Sequence, residues 1–215
     1  MLNLYSQNRT EKLIAQNSAL IESICASYHL PSAYLKAILR MELPEINIFD
    51  GLADVLVALN WVRYALFGTF DLERHTRNPL RKFDSSTGYG QIFAQVAIEA
   101  ILFAQSQKIP VFLGVSGDLF PFRPHDLKRI WARLHHDRVF NLSCAALNII
   151  HASFEMTGRI DFEGYNEHEI KMTLSRYNGN AQVISPYGEK AYQFFLEYVG
   201  GGKKPAPFGA GRAGS

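Results

Sequence analysis

Glu42 closes the stretch PSAYLKAILRME, and its spacing from Leu35, Ile38 and Leu39 puts it on the apolar side of the helix that this stretch predicts. Residues 35, 38, 39 and 42 recur at one and two helical turns, so the carboxyl should share the buried stripe with Tyr34 alongside. Two effects would then favour the protonated form. Burial penalises the charge, and the negative end of the helix dipole, expected just before Leu43-Pro44, repels a carboxylate. A carboxyl that keeps its proton near neutral pH is what a general acid needs. The plainer alternative is a glutamate at a fraying helix end that points into water.

Other segments carry candidate chemistry. Asp84 stands just ahead of SSTGYG, where it could activate water or serve only as an Asx-turn residue. Asp50 and Asp54 are weaker candidates for the same role. Gly88, Tyr89, Gly90 and Gln91 form a glycine-punctuated loop whose backbone can approach a ligand or adopt positive φ; the ordinary reading is a turn before the next helix. Tyr177-Asn178-Gly179 reads as a helix C-terminus with an Asn-Gly stop unless its side chains face the same site. His135-His136-Asp137 does not make a metal site, since adjacent helical residues face different ways and no third ligand has suitable spacing. We expect no metal and no cofactor. Trp61 and Trp131 are expected to be core or rim aromatics.

The elements that must position these residues are helices. Thr10 is placed to cap a first helix running through Cys25, and Leu30-Pro31 breaks it before the Glu42 helix. From Gly51 to about Phe67, Leu52, Val55, Leu56, Leu59 and Val62 mark what should be a buried helical face. The polar segment DLERHTRNPLRKFDSSTGYG has no period and should be irregular. Helical patterning resumes from Gln91 to about Gln105, followed by a long loop with room for a short strand. Asp126 and Asn141 are expected to cap the next two helices, and Gly158 to stop the second. Asn166 with Glu169 predicts a capping box for the helix ending at RYNG, and a last helix should run from about Tyr187 to Val199. This is a mainly α domain over residues 1–199, of seven or eight helices, followed by a glycine- and proline-rich tail or linker over 200–215.

Composition narrows the classes. A chain of 215 residues buries a core without metal or disulfides, and Cys25 and Cys144 each lie in an apolar helical pattern suited to buried free thiols. The net charge of +2, with basic residues scattered, argues against a nucleic-acid binder. The most apolar stretch, GLADVLVALNWVRYALFG, contains Asp54, Asn60 and Arg63 and should not span a membrane. MLNLYSQNRTEK lacks the layout of a secretory signal.

Taken in order, LIESICASYHLPSAYLKAILRMEL, STGYGQIFAQVAIEA, NLSCAALNIIHASFE, LSRYNGN and YGEKAYQFF resemble the lysozyme-like superfamily of soluble lytic transglycosylases and goose-type lysozymes. The resemblance covers most of residues 15 to 199. It implies a lysozyme-like helical fold with long loops flanking a glycan cleft. Glu42 would be the catalytic acid, Gly88 to Gln91 the loop flooring the cleft, with Gln91 bonding substrate, and Tyr177-Asn178 the pair that meets the catalytic carboxyl and the sugar N-acetyl group. A buried amide there would read acetamido groups through its donors and acceptors. The implied activity is muramidase cleavage of the β-1,4 bond between N-acetylmuramic acid and N-acetylglucosamine.

Two departures bear on the chemistry. Leu43 stands where transglycosylases have Ser after the catalytic Glu, and the span from Glu42 to Gly88 is long, which should add a helix beside the cleft. Hydrolysis would use a second carboxylate, Asp84 by preference, whereas a lytic transglycosylase would use Glu42 alone and leave a 1,6-anhydro end. A catalytically silent peptidoglycan-binding module is the remaining alternative. The expected partners are peptidoglycan strands and, for a bacteriolytic toxin, a cognate immunity or inhibitor protein. The expected place of action is the bacterial cell wall in the periplasm, reached through a secretion machine, phage lysis or a larger exported chain.

Overall fold

A computed structural model of the chain describes residues 7–45, 48–68, 83–111, 114–115, 118–179 and 182–200, and among them nine α-helices and no strand. They are α1 (Gln7–Gln16), α2 (Ser18–Ser27), α3 (Ser32–Glu42), α4 (Ile48–Phe67), α5 (Ala94–Ser106), α6 (Pro124–His136), α7 (Arg138–Thr157), α8 (Glu167–Tyr177) and α9 (Pro186–Val199), with a single 3-10 turn, Leu43–Glu45, after α3. The mainly α expectation holds. The tail beyond Gly200, the segment 69–82 and the side chain of Asp50 lie outside the described residues.

Local chemistry sets most of the boundaries. The single helix expected from Thr10 to Cys25 is two, because the Asn17 amide donates to the Leu13 carbonyl at 2.7 Å and competes with the backbone ladder there. Thr10 is buried inside α1 and caps nothing. Asp126 does not cap α6, which starts at Pro124; its buried carboxylate instead accepts from Phe120 N and Arg123 Nε and fastens the preceding loop. The cap of α7 is Asp137, which accepts from Phe140 N at 3.0 Å, four residues ahead of the expected Asn141. Gly158, at φ +73°, ends α7, and the Asn166–Glu169 capping box opens α8. Gln91 belongs to a turn rather than to α5, and the described part of the long loop before α6 carries no strand.

The core gathers around α7, whose residues Phe140 to Ile150 are all buried. It packs against α2, α5, α6 and α8, while α3 packs against α9. Tyr34 of α3 meets Phe162 and Phe195 edge-on or tilted at 4.9 and 4.7 Å. Arg40, across the same helix, pairs with Glu11 of α1 and Glu197 of α9 and stacks over Phe194. Both ends of the Glu42 helix are therefore held by distant parts of the chain. Cys25 and Cys144 are buried free thiols, as expected.

One helix departs from its sequence pattern. In α4, Val57, Asn60 and Trp61 face the protein, whereas Leu52, Val55, Leu59 and Val62, read as the buried face, stand in solvent. Trp61 and Tyr64 pack edge-on against Phe83, and Asp54 bonds to the following loop, so α4 leans on the segment after it rather than on the helical core. No helix among the described residues is long and apolar enough to cross a membrane.

Candidate active site

Glu42 is half-buried at the last position of α3. Leu43, the next residue, is fully buried and carries the chain onward as a 3-10 turn, so the helix end is fixed rather than frayed. From α9, the Tyr187 hydroxyl donates to Glu42 Oε1 at 2.6 Å. Burial and the adjacent Glu42 charge push the Tyr187 phenol well above its usual range, which keeps its proton available for donation. The position of Tyr187 depends on its neighbours. Ser185 caps α9 by accepting from Gly188 N, and a Cβ at Gly188 would lie 1.9 Å from Ser175 Oγ and 2.8 Å from the Lys171 carbonyl. Only glycine lets the first turn of α9 sit so close to α8.

The second component is the loop 87–92. Thr87 and Ile92 form an isolated antiparallel bridge that closes a tight turn with Gly88 at φ +71° and Gln91 at φ +44°. Asn141, in the first turn of α7, holds the turn from beneath. Its Oδ1 accepts from Gly90 N at 2.8 Å, and its Nδ2 donates to the Thr87 carbonyl at 2.9 Å. A Cβ on Gly88 would fall 2.2 Å from Asn141 Nδ2, and one on Gly90 would fall 2.8 Å from Ala145 Cβ, so both glycines are required by close approach to α7. Tyr177, the last residue of α8, donates from its hydroxyl to the Gly90 carbonyl at 2.7 Å. Burial first and the Glu42 charge second raise the Tyr177 phenol well above its usual range.

The sequence candidates thus fall into distinct environments. Two hydrogen-bonded pairs result, Tyr177 on Gly90 and Tyr187 on Glu42, and the Glu42 charge acts on both phenols. Gln91 turns its amide back on its own loop, with Nε2 donating to the Gly88 carbonyl at 2.8 Å and Oε1 accepting from Ser86 Oγ at 3.3 Å. Tyr89 faces inward and lines a small apolar pocket with Leu13, Ile14, Leu39, Leu43 and Leu142. Asn178 is exposed just past the end of α8.

Asp84 is held at the start of α5, where Oδ1 accepts from Ala94 N at 2.9 Å and Oδ2 from Gln95 N at 3.0 Å. Burial pushes its carboxyl up to about 7, against the pull of these backbone donors. Asp54 of α4 accepts from Ser85 Oγ at 2.6 Å and Thr87 Oγ1 at 3.1 Å and lies 3.2 Å from His135 Nδ1. Trp131 donates to Ser85 at 2.9 Å, so this polar cluster braces the back of the loop.

Sequence reasoning missed Tyr187 and the role of Asn141. The Ser-Pro-Tyr-Gly run at 185–188 carries the signal for the first, a capped helix start with an aromatic in its opening turn. For the second there is none beyond an asparagine near a helix start. No family model, curated protein or solved structure matches this chain.

Proposed function

We propose that this protein cleaves the β-1,4 bond between N-acetylmuramic acid and N-acetylglucosamine in peptidoglycan strands, with Glu42 as the general acid. The observation that carries this reading is the phenol held on one carboxyl next to a pinned loop. Glu42, at a fixed helix end, accepts from the Tyr187 hydroxyl of α9, and the following residue, Leu43, shares a small pocket with Tyr89 of the tight loop held by Asn141 and Tyr177. Glu42, oriented by the Tyr187 hydroxyl, delivers a proton to the glycosidic oxygen as the bond breaks. The lysozyme-like resemblance of the same segments supports the substrate class.

A specific observation favours one product over the other. Both oxygens of Asp84 are engaged by the backbone of α5, which suits a structural carboxylate better than one orienting water. Glu42 then serves as acid and afterwards as base, with the substrate's own 6-hydroxyl completing the reaction and leaving a 1,6-anhydro end. Digestion of purified sacculi followed by mass spectrometry of the muropeptides tests both levels. Anhydro ends support the single-carboxylate route, and reducing ends return the second carboxylate to the mechanism. Glu42→Gln should lower turnover by roughly 10³-fold or more while leaving the circular dichroism spectrum unchanged. Undiminished clearing by that variant removes Glu42 from the chemistry, and sacculus binding without clearing by the native protein identifies a silent module.

A further inference from the structure

The exposed apolar residues of α4 are not scattered. Leu52, Val55, Leu59, Val62 and Leu66 follow one another at alternating intervals of three and four, and each is more than half exposed. This is the a/d repeat of a coiled-coil seam, and it lies opposite the face that Val57, Asn60 and Trp61 bury against the protein. We infer that α4 is a self-association surface, on which the occupant is α4 of a second copy of this chain.

Three features select that occupant. The seam is narrow, with Arg63 exposed beside it, whereas a helix lying in a lipid interface needs a broad apolar face rimmed by basic residues. Its flanks are otherwise small, with Ala58 and Ala65 exposed and Arg63 the lone charge among these flanking residues, so two copies approach closely without opposing rows of like charge. The area suffices. The five seam residues expose on the order of 500 Å² per copy, so that a pair covering them buries about the 1,000 Å² that a specific interface requires. The Asp54 attachments to Ser85 and Thr87 are made off the seam.

Sedimentation velocity on the full chain from about 1 to 100 µM tests this inference, with free energies of association on the scale of micromolar dissociation constants. We expect a reversible shift from one to two or more chain masses, abolished by Leu59→Lys and, as an independent variant, by Leu52→Gln with Leu66→Gln. Each variant should keep the native helical signal, since it alters only exposed positions. A native chain that stays monomeric throughout overturns the inference, as does association that survives both variants. A monomer that co-sediments with anionic phospholipid vesicles also overturns it, since the face would then serve a membrane. None of these readings depends on glycan cleavage.

Discussion

α4 and α7 are each 20 residues long and each rich in apolar side chains, yet α7 is buried without interruption from Phe140 to Ile150 while α4 leaves its most regular apolar row in solvent. The difference lies in what surrounds them. α7 is enclosed by α2, α5, α6 and α8, and its polar residues are spent inside the molecule, Asn141 on the loop at 87–90. Among the described residues, α4 meets the protein on the side of Val57 and Trp61 and through the Asp54 carboxylate. Periodicity marks an apolar face in both helices. Which neighbour covers it is a property of the whole chain.

The contrast breaks most readily at Asn141. Asn141→Ala leaves the Gly90 N–H without its acceptor in a buried place and the Thr87 carbonyl with its 3.4 Å bond from Ile92 N, and the adjacent glycines have no side chain to compensate. We expect a loss of about 2–4 kcal/mol in urea unfolding, together with a large fall in sacculus digestion as the loop loosens. If the variant keeps wild-type stability, the loop is held by its own bridge and α7 is only a backstop.

Asp84 gives a pH signature of the same enclosed region. Its native carboxyl is lifted to about 7 by burial from an ordinary value of 3.8, so the folded state binds this proton more tightly than the unfolded state. The contribution to stability is full below the unfolded value and is lost as pH rises through about 7. Between these limits Asp84 alone makes stability fall by at most about 1.4 kcal/mol per pH unit. Asp84→Asn should remove that slope, read from denaturation midpoints at pH 4, 5, 6 and 7. An identical slope in the variant would show that Asp84 is ionised in the native state and bound as a charge by α5.

Tyr187→Phe is a milder change at the edge of the buried region. It removes one hydroxyl from Glu42 and little packing, so kcat should fall by about 10–100-fold with a change in stability near 1 kcal/mol. An unchanged kcat would mean that Glu42 is oriented by its helix end alone.

How far these features could be read from residues alone follows the same division. Chain-local signals were legible: the Asn166–Glu169 box, Gly158 as a stop, and Glu42 on the apolar side of its helix, because each depends on residues within a turn or two. The face of α4 was misread since an amphipathic period does not say whether the rest of the chain reaches it. Asn141 and Asp126 were read as caps because capping and pinning use the same short polar side chains. Tyr187 meets Glu42 only after the chain has passed through five further helices, from α4 to α8, and no spacing rule spans that separation. Tyr177, expected to meet the catalytic carboxyl, bonds through its hydroxyl to the Gly90 carbonyl.

The smallest effect sharpens the comparison most. Val62→Gln alters a side chain that is more than half exposed on α4, so in dilute solution its unfolding free energy should stay within about 0.5 kcal/mol of the native chain. At high protein concentration the two should diverge. Association stabilises only the folded form and raises the native midpoint with concentration, and the variant, with its seam interrupted, gains less. Thermal midpoints at two concentrations about 100-fold apart measure this directly. A native midpoint independent of concentration would make α4 a helix with one apolar face too many and no use for it, while a loss at both concentrations would place Val62 in intramolecular packing, as its spacing first suggested.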